Sequence, residues 1–499
     1  MTIGQWIRAE DSSKKNSIAV LDGVRAFACL IVIIYHLSLV PHDFHIWNLR
    51  STVPPLVASF LYAGRFGVTL FFVLSGFLLF LPFAKALLFE QTWPSSRRFY
   101  LRRVFRIIPA YYLTLILLVL FFNQRYLEPQ HWKELGLFFV FLMDSTHATY
   151  KQLNAPFWTL ATEWQFYMLL PLFVLGMRLL VWRVKGRYRL TATLACILAL
   201  IGWGLFSRYM GNYLVYEHPT ATWLVPRSVL NVVLFFTFGV SGKYLEDFGV
   251  GMLLSLCFVY AQHPSTLPRI RTALQKLSPV CLGMGMAGLL VMILWNYNGM
   301  FKNTWPLFNQ PFLAANYYLF SEVGYALSFG LCILALLFGV SLFAGPFVWF
   351  PTRWLGMISY SLYMWHFPLL VVLMRWGQPF LKQLPLALNY SAYWLWVLVV
   401  IIPFCFLFYK FVEQPGMKLG ERLTSKKRRS AAPADQPQAA GRSQAAGRPQ
   451  GIGPTISSPV TVPLRLTADT NSLRETRPLL PQSVSGQWQP LHTQSSRRE

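Results

Sequence analysis

Long apolar runs alternate with short polar or basic segments along most of the chain. Runs of this length with few charges predict membrane-spanning α-helices. The predicted spans cover residues 18–40, 60–82, 109–123, 157–177, 191–207, 247–261, 279–297, 319–341, 355–374 and 393–412. The pattern therefore predicts an all-α fold, a polytopic membrane helix bundle of about ten transmembrane helices within residues 18–415.

Two further apolar stretches do not fit this scheme. Residues 134–143 are too short to cross a bilayer, which indicates a re-entrant or interfacial segment. Residues 224–243 compete with 247–261 as the sixth span, and only one of the two can cross without breaking the charge pattern of the loops. The count of ten spans therefore has a margin of one or two helices.

The first predicted helix, residues 18–40, contains the polar residues Asp22, Arg25 and His36. Arg25 and His36 are eleven positions apart, which is close to three helical turns, so they share a face and lie about 16 Å apart along the axis. An ionisable residue in a spanning helix is costly unless it meets a partner or a polar cavity. Two interpretations stay open: a functional polar track, or an Arg that snorkels and a His that hydrogen-bonds a neighbouring helix.

Two further clusters carry charge into the predicted bundle. Arg103 and Arg106 lie one turn apart where the third span begins. Guanidinium groups and free backbone N–H groups at a helix start together suit phosphate, although basic residues also anchor cytoplasmic loops. Glu163 lies inside the fourth predicted span, between Trp158 and Tyr167, and a carboxylate there needs a His or Arg partner.

Three other positions have a structural and a functional interpretation. The pair Ser75–Gly76 is typical of close helix packing, which is favoured over catalysis. Glu322 at the start of the eighth span fits an interfacial residue. His366 lies among aromatic residues, where it is either part of an interfacial aromatic belt or a functional base.

Composition agrees with a membrane protein. Of 499 residues, 55% are hydrophobic, and the mean hydropathy is +0.43, which excludes an ordinary soluble protein. The net charge of +25 is concentrated in a few loops and the tail, so it does not indicate a nucleic-acid partner. His42 and His45 lack further ligands at metal spacing, and we expect no metal site.

The basic loops predict the orientation of the chain in the plasma membrane. Residues 83–108 and 178–190 are rich in Lys and Arg, which favours the cytoplasmic side. With an even number of spans, the polar N-terminus, residues 1–17, and the C-terminus also lie in the cytoplasm. Residues 416–499 are rich in Pro, Gln, Ser and Arg, which predicts a disordered basic tail.

The polar residues of the predicted bundle suggest a reaction class. A His that can act as a base and arginines that can bind phosphate, joined by a polar track, favour group transfer from a phosphate-bearing donor. A proton-coupled transporter uses the same residue types in membranes. From the residues alone, both classes stay open.

Several segments, in their order and spacing, resemble the acyltransferase-3 family of integral membrane O-acyltransferases over roughly residues 17–415. The matching segments are LDGVRAF…YH, SGFLL, RRVFRIIPAYY, WTLATEWQFYMLLPL, SYSLYMWHFPL and FVEQP. The resemblance implies transfer of an acyl group, usually acetyl from acetyl-CoA, to a hydroxyl of a sugar or glycan acceptor, in many members at the extracytoplasmic face. It therefore implies three partners: an acyl-CoA co-substrate, a carbohydrate acceptor and the lipid bilayer.

The resemblance also assigns site residues. Arg25 and His36 match the family's first-helix Arg and His, Arg103 and Arg106 match its Arg-x-x-Arg pair, and Glu163 matches the first acid of its fourth-helix motif. We expect His36, Arg25 and Glu163 to be catalytic, with His36 as the general base and Glu163 fixing the tautomer of its ring. Arg103, Arg106 and Arg25 are expected to bind the CoA donor.

The chain also departs from the family pattern. Trp164 replaces the second of two adjacent acids, and Ala26 replaces the glycine that usually follows the first-helix arginine. Some members carry an esterase-like C-terminal domain, whereas the tail here cannot form one. We therefore expect transfer to be completed in the membrane domain or through a separate protein. The alternative function is a multispan transporter or flippase for a lipid or glycan, but the sequence lacks the repeat-related halves typical of that class.

Overall fold

The computed structural model describes residues 19–222, 225–263, 267–301, 305–339 and 341–425. This part of the chain consists of helices joined by short loops, and it contains no β-strand. The helical class predicted from the hydrophobic pattern is confirmed. The predicted N-terminal segment, residues 1–17, lies outside the described residues, as does the tail beyond residue 425.

Eleven helices, among the residues described, build the bundle and its polar interior. They are α1 (Ala19–Asp43), α2 (Pro55–Phe89), α3 (Ser96–Phe121), α4 (Phe157–Val181), α5 (Gly186–Glu217), α6 (Leu245–Ala261), α7 (Leu267–Phe301), α8 (Tyr317–Phe338), α9 (Phe350–Met357), α10 (Ser359–Leu381) and α11 (Leu386–Ser425). Shorter helices lie in the connections: Leu49–Thr52, Gln124–Leu127, Pro129–His131, Trp132–Phe139, Arg227–Thr237, Pro311–Ala315 and Ser341–Val348.

The number of membrane spans is lower than predicted. In the described part of the chain, eight helices are long and apolar enough to cross a membrane, or nine if α9 and α10, bent by 74°, form one span. Helix α6 was predicted to be the sixth span, but it has 17 residues and starts with the buried acids Glu246 and Asp247. At 1.5 Å per residue it is about 26 Å long, at the short end for a transmembrane helix. Eight or nine spans in the described residues lie within the margin of one or two helices around the predicted ten.

The two apolar stretches outside the scheme form short helices. Residues 134–143 contain the end of the helix Trp132–Phe139, which is too short to cross. Residues 224–243 contain the 11-residue helix Arg227–Thr237, also too short, so this stretch is not the sixth span either. Helix α6 instead packs inside the bundle against α2, α5 and α8.

Helix α11 continues past the predicted end of the membrane domain. Its last segment, Gln414–Ser425, is helical, although disorder was predicted from residue 416 onward. The reason is packing on α3: a Cβ atom at Gly416 would lie 2.6 Å from the carbonyl oxygen of Phe105, and one at Gly420 would lie 2.9 Å from the Phe105 Cβ. Contacts with a neighbouring helix, which composition does not reveal, hold this segment.

Glycines let two neighbours approach α2 closely. A Cβ atom at Gly67 would lie 2.5 Å from the carbonyl oxygen of Ala28 in α1, and one at Gly76 would lie 2.1 Å from that of Phe248 in α6. Small residues at helix crossings let backbones come this close. The face of α2 that carries Ser75 is turned toward α4, and this arrangement places Ser75 at the interior of the bundle.

Candidate active site

A cavity of about 280 Å³ lies between α1, α2, α3, α4 and α10; we call it the arginine cavity. Its polar lining residues are Arg25, Ser75, Arg103, Arg106, Thr159, Glu163, Tyr167, Ser359, Tyr360 and Tyr363. Four of the five predicted site residues are therefore brought together here, from segments that are far apart in the sequence. The fifth, His36, lies elsewhere.

Glu163 is held by two hydroxyl groups. Ser75 Oγ donates a hydrogen bond to Glu163 Oε1 at 2.5 Å, and the Tyr167 hydroxyl donates to the same oxygen. The prediction of close packing for Ser75–Gly76 holds for Gly76, which contacts α6. Ser75, one position earlier, belongs to the cavity, so a packing residue and a polar site residue are adjacent in the chain.

The three arginines differ in how they are held. Arg25 Nη1 donates to Asp22 Oδ1 at 3.1 Å, one turn earlier in α1. The guanidinium of Arg103 lies 5.8 Å from the centre of the Tyr167 ring. Within the described ranges, neither Arg103 nor Arg106 forms an ion pair within 4.0 Å. These two cations thus remain available to an anionic ligand.

The charge balance of the arginine cavity fits a phosphate-bearing donor. Three arginines line it, and Glu163 is the one carboxylate among the lining residues that the structure describes. Guanidinium forks bind phosphate oxygens in pairs, and a cavity from which water is partly excluded strengthens that attraction. Its volume is at the low end for small-molecule sites, so it suits one arm of an extended donor.

A second cavity, of about 730 Å³, begins where the arginine cavity ends; we call it the tyrosine cavity. His36 lines it, and so do residues of α2, α5, α8 and the segment 150–158. The two cavities share Val68 and Tyr363 in their linings. Arg25 and His36 share one face of α1, as their spacing predicts, but they line different cavities.

His36 forms a pair with His366 of α10. His36 Nδ1 lies 3.0 Å from the carbonyl oxygen of Val32, and His366 Nδ1 lies 3.1 Å from that of Leu362. Because a carbonyl oxygen only accepts, each Nδ1 carries a proton in the neutral ring. His366 Nε2, 3.2 Å from His36 Nδ1, then accepts from it. This arrangement leaves the lone pair of His36 on Nε2.

The structure changes the predicted role of Glu163 toward His36. Among the described hydrogen bonds, Glu163 accepts from Ser75 and Tyr167, whereas Val32 and His366 hold the ring of His36. The expectation that Glu163 fixes the imidazole tautomer is therefore not met. A backbone carbonyl one turn earlier does this, together with His366, for which the sequence left open a place in an aromatic belt or a role as a base.

Several site residues were not singled out from the sequence. Tyr167 follows Glu163 by one helical turn, and Tyr363 precedes His366 by three positions, so helical spacing could have indicated both. Glu413 lines neither cavity; it is buried in α11 and accepts from Ser361 Oγ of α10 at 2.9 Å. It lies in a π-helical turn, Tyr409–Glu413, a local geometry with no clear sequence signal.

Glu322, for which the sequence favours an interfacial position, belongs to the second cavity. It lines the tyrosine cavity and accepts a hydrogen bond from Thr69 Oγ1 at 3.0 Å. For the part of the chain that is described, no group of three or more His, Cys, Asp or Glu side chains is placed to hold a metal ion.

Comparisons with known proteins give consistent results. The chain is 28% identical over 430 residues to YrhL of Bacillus subtilis (strain 168), whose name is that of a candidate peptidoglycan O-acetyltransferase; this covers 82% of the chain and 56% of the relative. It is 25% identical over 423 residues to the peptidoglycan O-acetyltransferase OatA of Listeria monocytogenes, covering 80% and 56%. It is 28% identical over 421 residues to the O-acetyltransferase OatA of Staphylococcus aureus, covering 80% and 57%.

The chain thus spans a little over half the length of these curated relatives. No solved structure matches it. The family model for the acyltransferase domain matches residues 18–410, which include every residue of both cavities. On this match, and with four of the five matched motif residues lining one cavity, the chain is a member of the acyltransferase-3 family of integral membrane proteins.

Proposed function

We propose that the protein is a membrane-embedded O-acetyltransferase that moves an acetyl group from cytoplasmic acetyl-CoA to a hydroxyl of a glycan at the extracytoplasmic face. The observation that carries this proposal is the meeting of the two cavities at Val68 and Tyr363, with cations on one side and a histidine base on the other. The names of the relatives support a glycan acceptor.

In this proposal the arginine cavity takes the donor. Arg103 and Arg106 bind the phosphates at the start of α3, and Arg25 faces the same cavity from α1. Acetyl-CoA, when bound, supplies the thioester carbonyl. The basic residues of segments 83–108 and 178–190 favour a cytoplasmic position for this side, with both termini in the cytoplasm of the cell.

The tyrosine cavity takes the acceptor. His36 Nε2 removes the proton of the acceptor hydroxyl as its oxygen attacks the thioester carbonyl. The new C–O bond forms as the C–S bond breaks, and the proton on His36 then passes to the departing thiolate. The Val32 carbonyl and His366 keep the proton-accepting nitrogen facing the cavity, because both contact Nδ1.

The proposal is tested by acetyl transfer in a defined system. Purified protein in lipid vesicles is given acetyl-CoA and a glycan acceptor, and the acceptor is examined by mass spectrometry for an added acetyl group. His36→Ala should lose at least about a hundredfold in rate, the low end for a general base. His42→Ala, an exposed histidine at the end of the same helix, is the matched control and should transfer normally.

Near-normal transfer by His36→Ala would overturn the role of His36, and no transfer by the wild-type protein would overturn the enzyme proposal. Movement of a glycan or lipid across the vesicle membrane without a gain of acetyl groups would favour the transporter alternative instead.

A further inference from the structure

The tyrosine cavity is large and its walls are aromatic. Eight tyrosines and Trp158 are among its lining residues. Aromatic rings with a hydroxyl or N–H group offer both an apolar face and a hydrogen-bonding edge. Such walls suit a sugar, which presents C–H faces and hydroxyl groups. They do not by themselves say which sugar binds.

Two cations in this cavity have no carboxylate partner. Arg65 lies with its guanidinium carbon 4.9 Å from the Tyr62 ring centre and 4.5 Å from that of Phe66, and its buried Nε has no hydrogen-bond partner. The ammonium nitrogen of Lys151 lies 5.0 Å from the Tyr150 ring centre, and the residue is exposed. Over the described residues, no carboxylate oxygen comes within 4.0 Å of either cation.

Arg208, another buried cation that lines this cavity, has a carboxylate partner, which Arg65 and Lys151 lack among the described residues. Arg208 forms an ion pair with Glu246, and just outside the cavity Lys243 forms one with Asp144 at 2.6 Å. Two carboxylates do line the tyrosine cavity: Glu322 accepts a hydrogen bond from Thr69, and Asp43 lies beside His42. Neither of them neutralises Arg65 or Lys151 by direct contact.

Arg65 and Lys151 line the same cavity, so their like charges repel each other. Partial desolvation by the surrounding protein, and then the charge of Arg65, lower the pKa of Lys151, although the residue is still exposed in its loop. Lys151 has a backbone φ of +60°, a conformation that costs energy for residues other than glycine and that clusters at binding sites. An anion between the two cations would relieve their repulsion and complete the contacts of the Arg65 guanidinium.

We propose that Arg65 and Lys151 bind an anionic substituent, a carboxylate or phosphate, of the acceptor glycan and so place its hydroxyl at His36. This inference rests on the proposed acetyl transfer and adds an acceptor class to it. Lys151 and His36 line the same cavity, so one bound acceptor can present its anionic group to Lys151 and its hydroxyl to His36. A neutral sugar would lack this anchor.

The negative charge has two sources to be distinguished. It is a carboxylate on the sugar itself, or the phosphate of a lipid-linked sugar. Three probes separate them: the disaccharide of N-acetylglucosamine and N-acetylmuramic acid, the same disaccharide with its carboxyl group amidated, and the amidated disaccharide on a polyprenyl diphosphate. The first carries only the carboxylate, the second is neutral, and the third carries only phosphate.

The test is acetyl transfer by the full chain in lipid nanodiscs, with KM and kcat measured for each probe. We expect a charged probe to have a KM about 10- to 100-fold below that of the neutral one, the usual effect of a hydrogen bond to a charged group. The ratio of the neutral probe's KM to the charged probe's KM should fall toward one in Arg65→Gln and in Lys151→Gln. Arg65→Lys and Lys151→Arg, which keep the charge, should restore part of it.

Arg50→Gln is the matched control, because Arg50 is exposed and lines neither cavity; its ratio should equal that of the wild type. Equal KM values for charged and neutral probes in a wild-type protein that transfers acetyl would overturn the inference and leave the proposed function intact. If no probe is acetylated, the proposed function fails. Equilibrium binding of the labelled probes then decides the charge preference separately, and equal affinities would overturn it.

Discussion

Arg103 and Arg106 occupy the turn of α3 that faces the arginine cavity, whereas Arg102, which directly precedes Arg103 in sequence, is exposed. Helical periodicity thus divides one basic segment into residues that can reach a donor and one that cannot. Simple anchoring to the cytoplasmic side, the other interpretation of this segment, suffices for Arg102. It does not explain why the other two guanidinium groups face inward.

The inward position of Arg103 and Arg106, compared with the exposed Arg102, gives a prediction for donor binding. Arg103→Ala and Arg106→Ala should each weaken CoA binding by about 1.5–3 kcal/mol, since each removes a hydrogen bond to a charged group. Arg→Lys at these positions should restore the affinity only in part, because the paired fork is lost. Isothermal titration of CoA into the purified protein measures this, with Arg102→Ala as the control. Wild-type affinity in the double alanine variant would contradict the assignment.

His366 is expected to act as a positioning residue for His36. His366→Ala removes the acceptor at 3.2 Å from His36 Nδ1 but leaves the Val32 carbonyl in place. The loss of one such hydrogen bond, about 1 kcal/mol, should lower kcat by roughly five- to tenfold. This is far below the loss expected for His36→Ala. Equal losses in the two variants would show that His366 itself takes the proton.

At the residue scale, the sequence was informative where spacing and residue type suffice. Arg25 and Glu163, predicted to be catalytic, line one cavity together with Arg103 and Arg106, predicted to bind the donor. The position of His36 in a separate cavity was not predictable. It depends on Tyr363 and other residues of α10, more than 300 positions away in sequence, and no periodicity within α1 contains that information.

At the scale of elements, α2 has a packing face and a polar face at consecutive positions. Gly76 meets the Phe248 carbonyl of α6, while Ser75 donates to Glu163 of α4. The sequence predicted the close packing but not the polar contact, because it does not say which helices lie on either side. The same reason explains the error for α6: a short apolar helix inside the bundle has the composition of a spanning one.

Gly76→Ala should therefore destabilise the bundle. A Cβ atom there would lie 2.1 Å from a backbone oxygen that no side-chain rotation can move. Overpacking of this kind costs about 1–3 kcal/mol, and thermal unfolding in detergent should show a lower midpoint. Gly202→Ala in α5 is the control, since a Cβ atom there meets nothing within 4 Å, and its midpoint should be equal or higher. Unchanged stability of Gly76→Ala would mean that α2 and α6 separate without cost.

At the scale of the whole molecule, the proposed direction of transfer requires one orientation in the membrane. Lys185 lies in a basic connection, and Leu307 is exposed in the connection between α7 and α8. Cysteines placed at these two positions should react differently with a membrane-impermeant maleimide. In intact cells we expect labelling at position 307 and protection at position 185. The reverse pattern would invert the orientation and the direction of transfer.

Val68 and Tyr363 have a further consequence beyond catalysis. The Tyr363 hydroxyl is held by Thr159 at 2.8 Å, so this side chain is fixed where the two cavities meet. If the two cavities reach this point from opposite sides of the membrane, the side chains of Val68 and Tyr363 also block the passage of ions between them. Tyr363→Ala should then make vesicles leaky to small ions, detectable as decay of an imposed membrane potential, while Thr159→Val should leave them sealed. For the proposed transferase, the tyrosine that borders both cavities would then also help to conserve the cell's ion gradients.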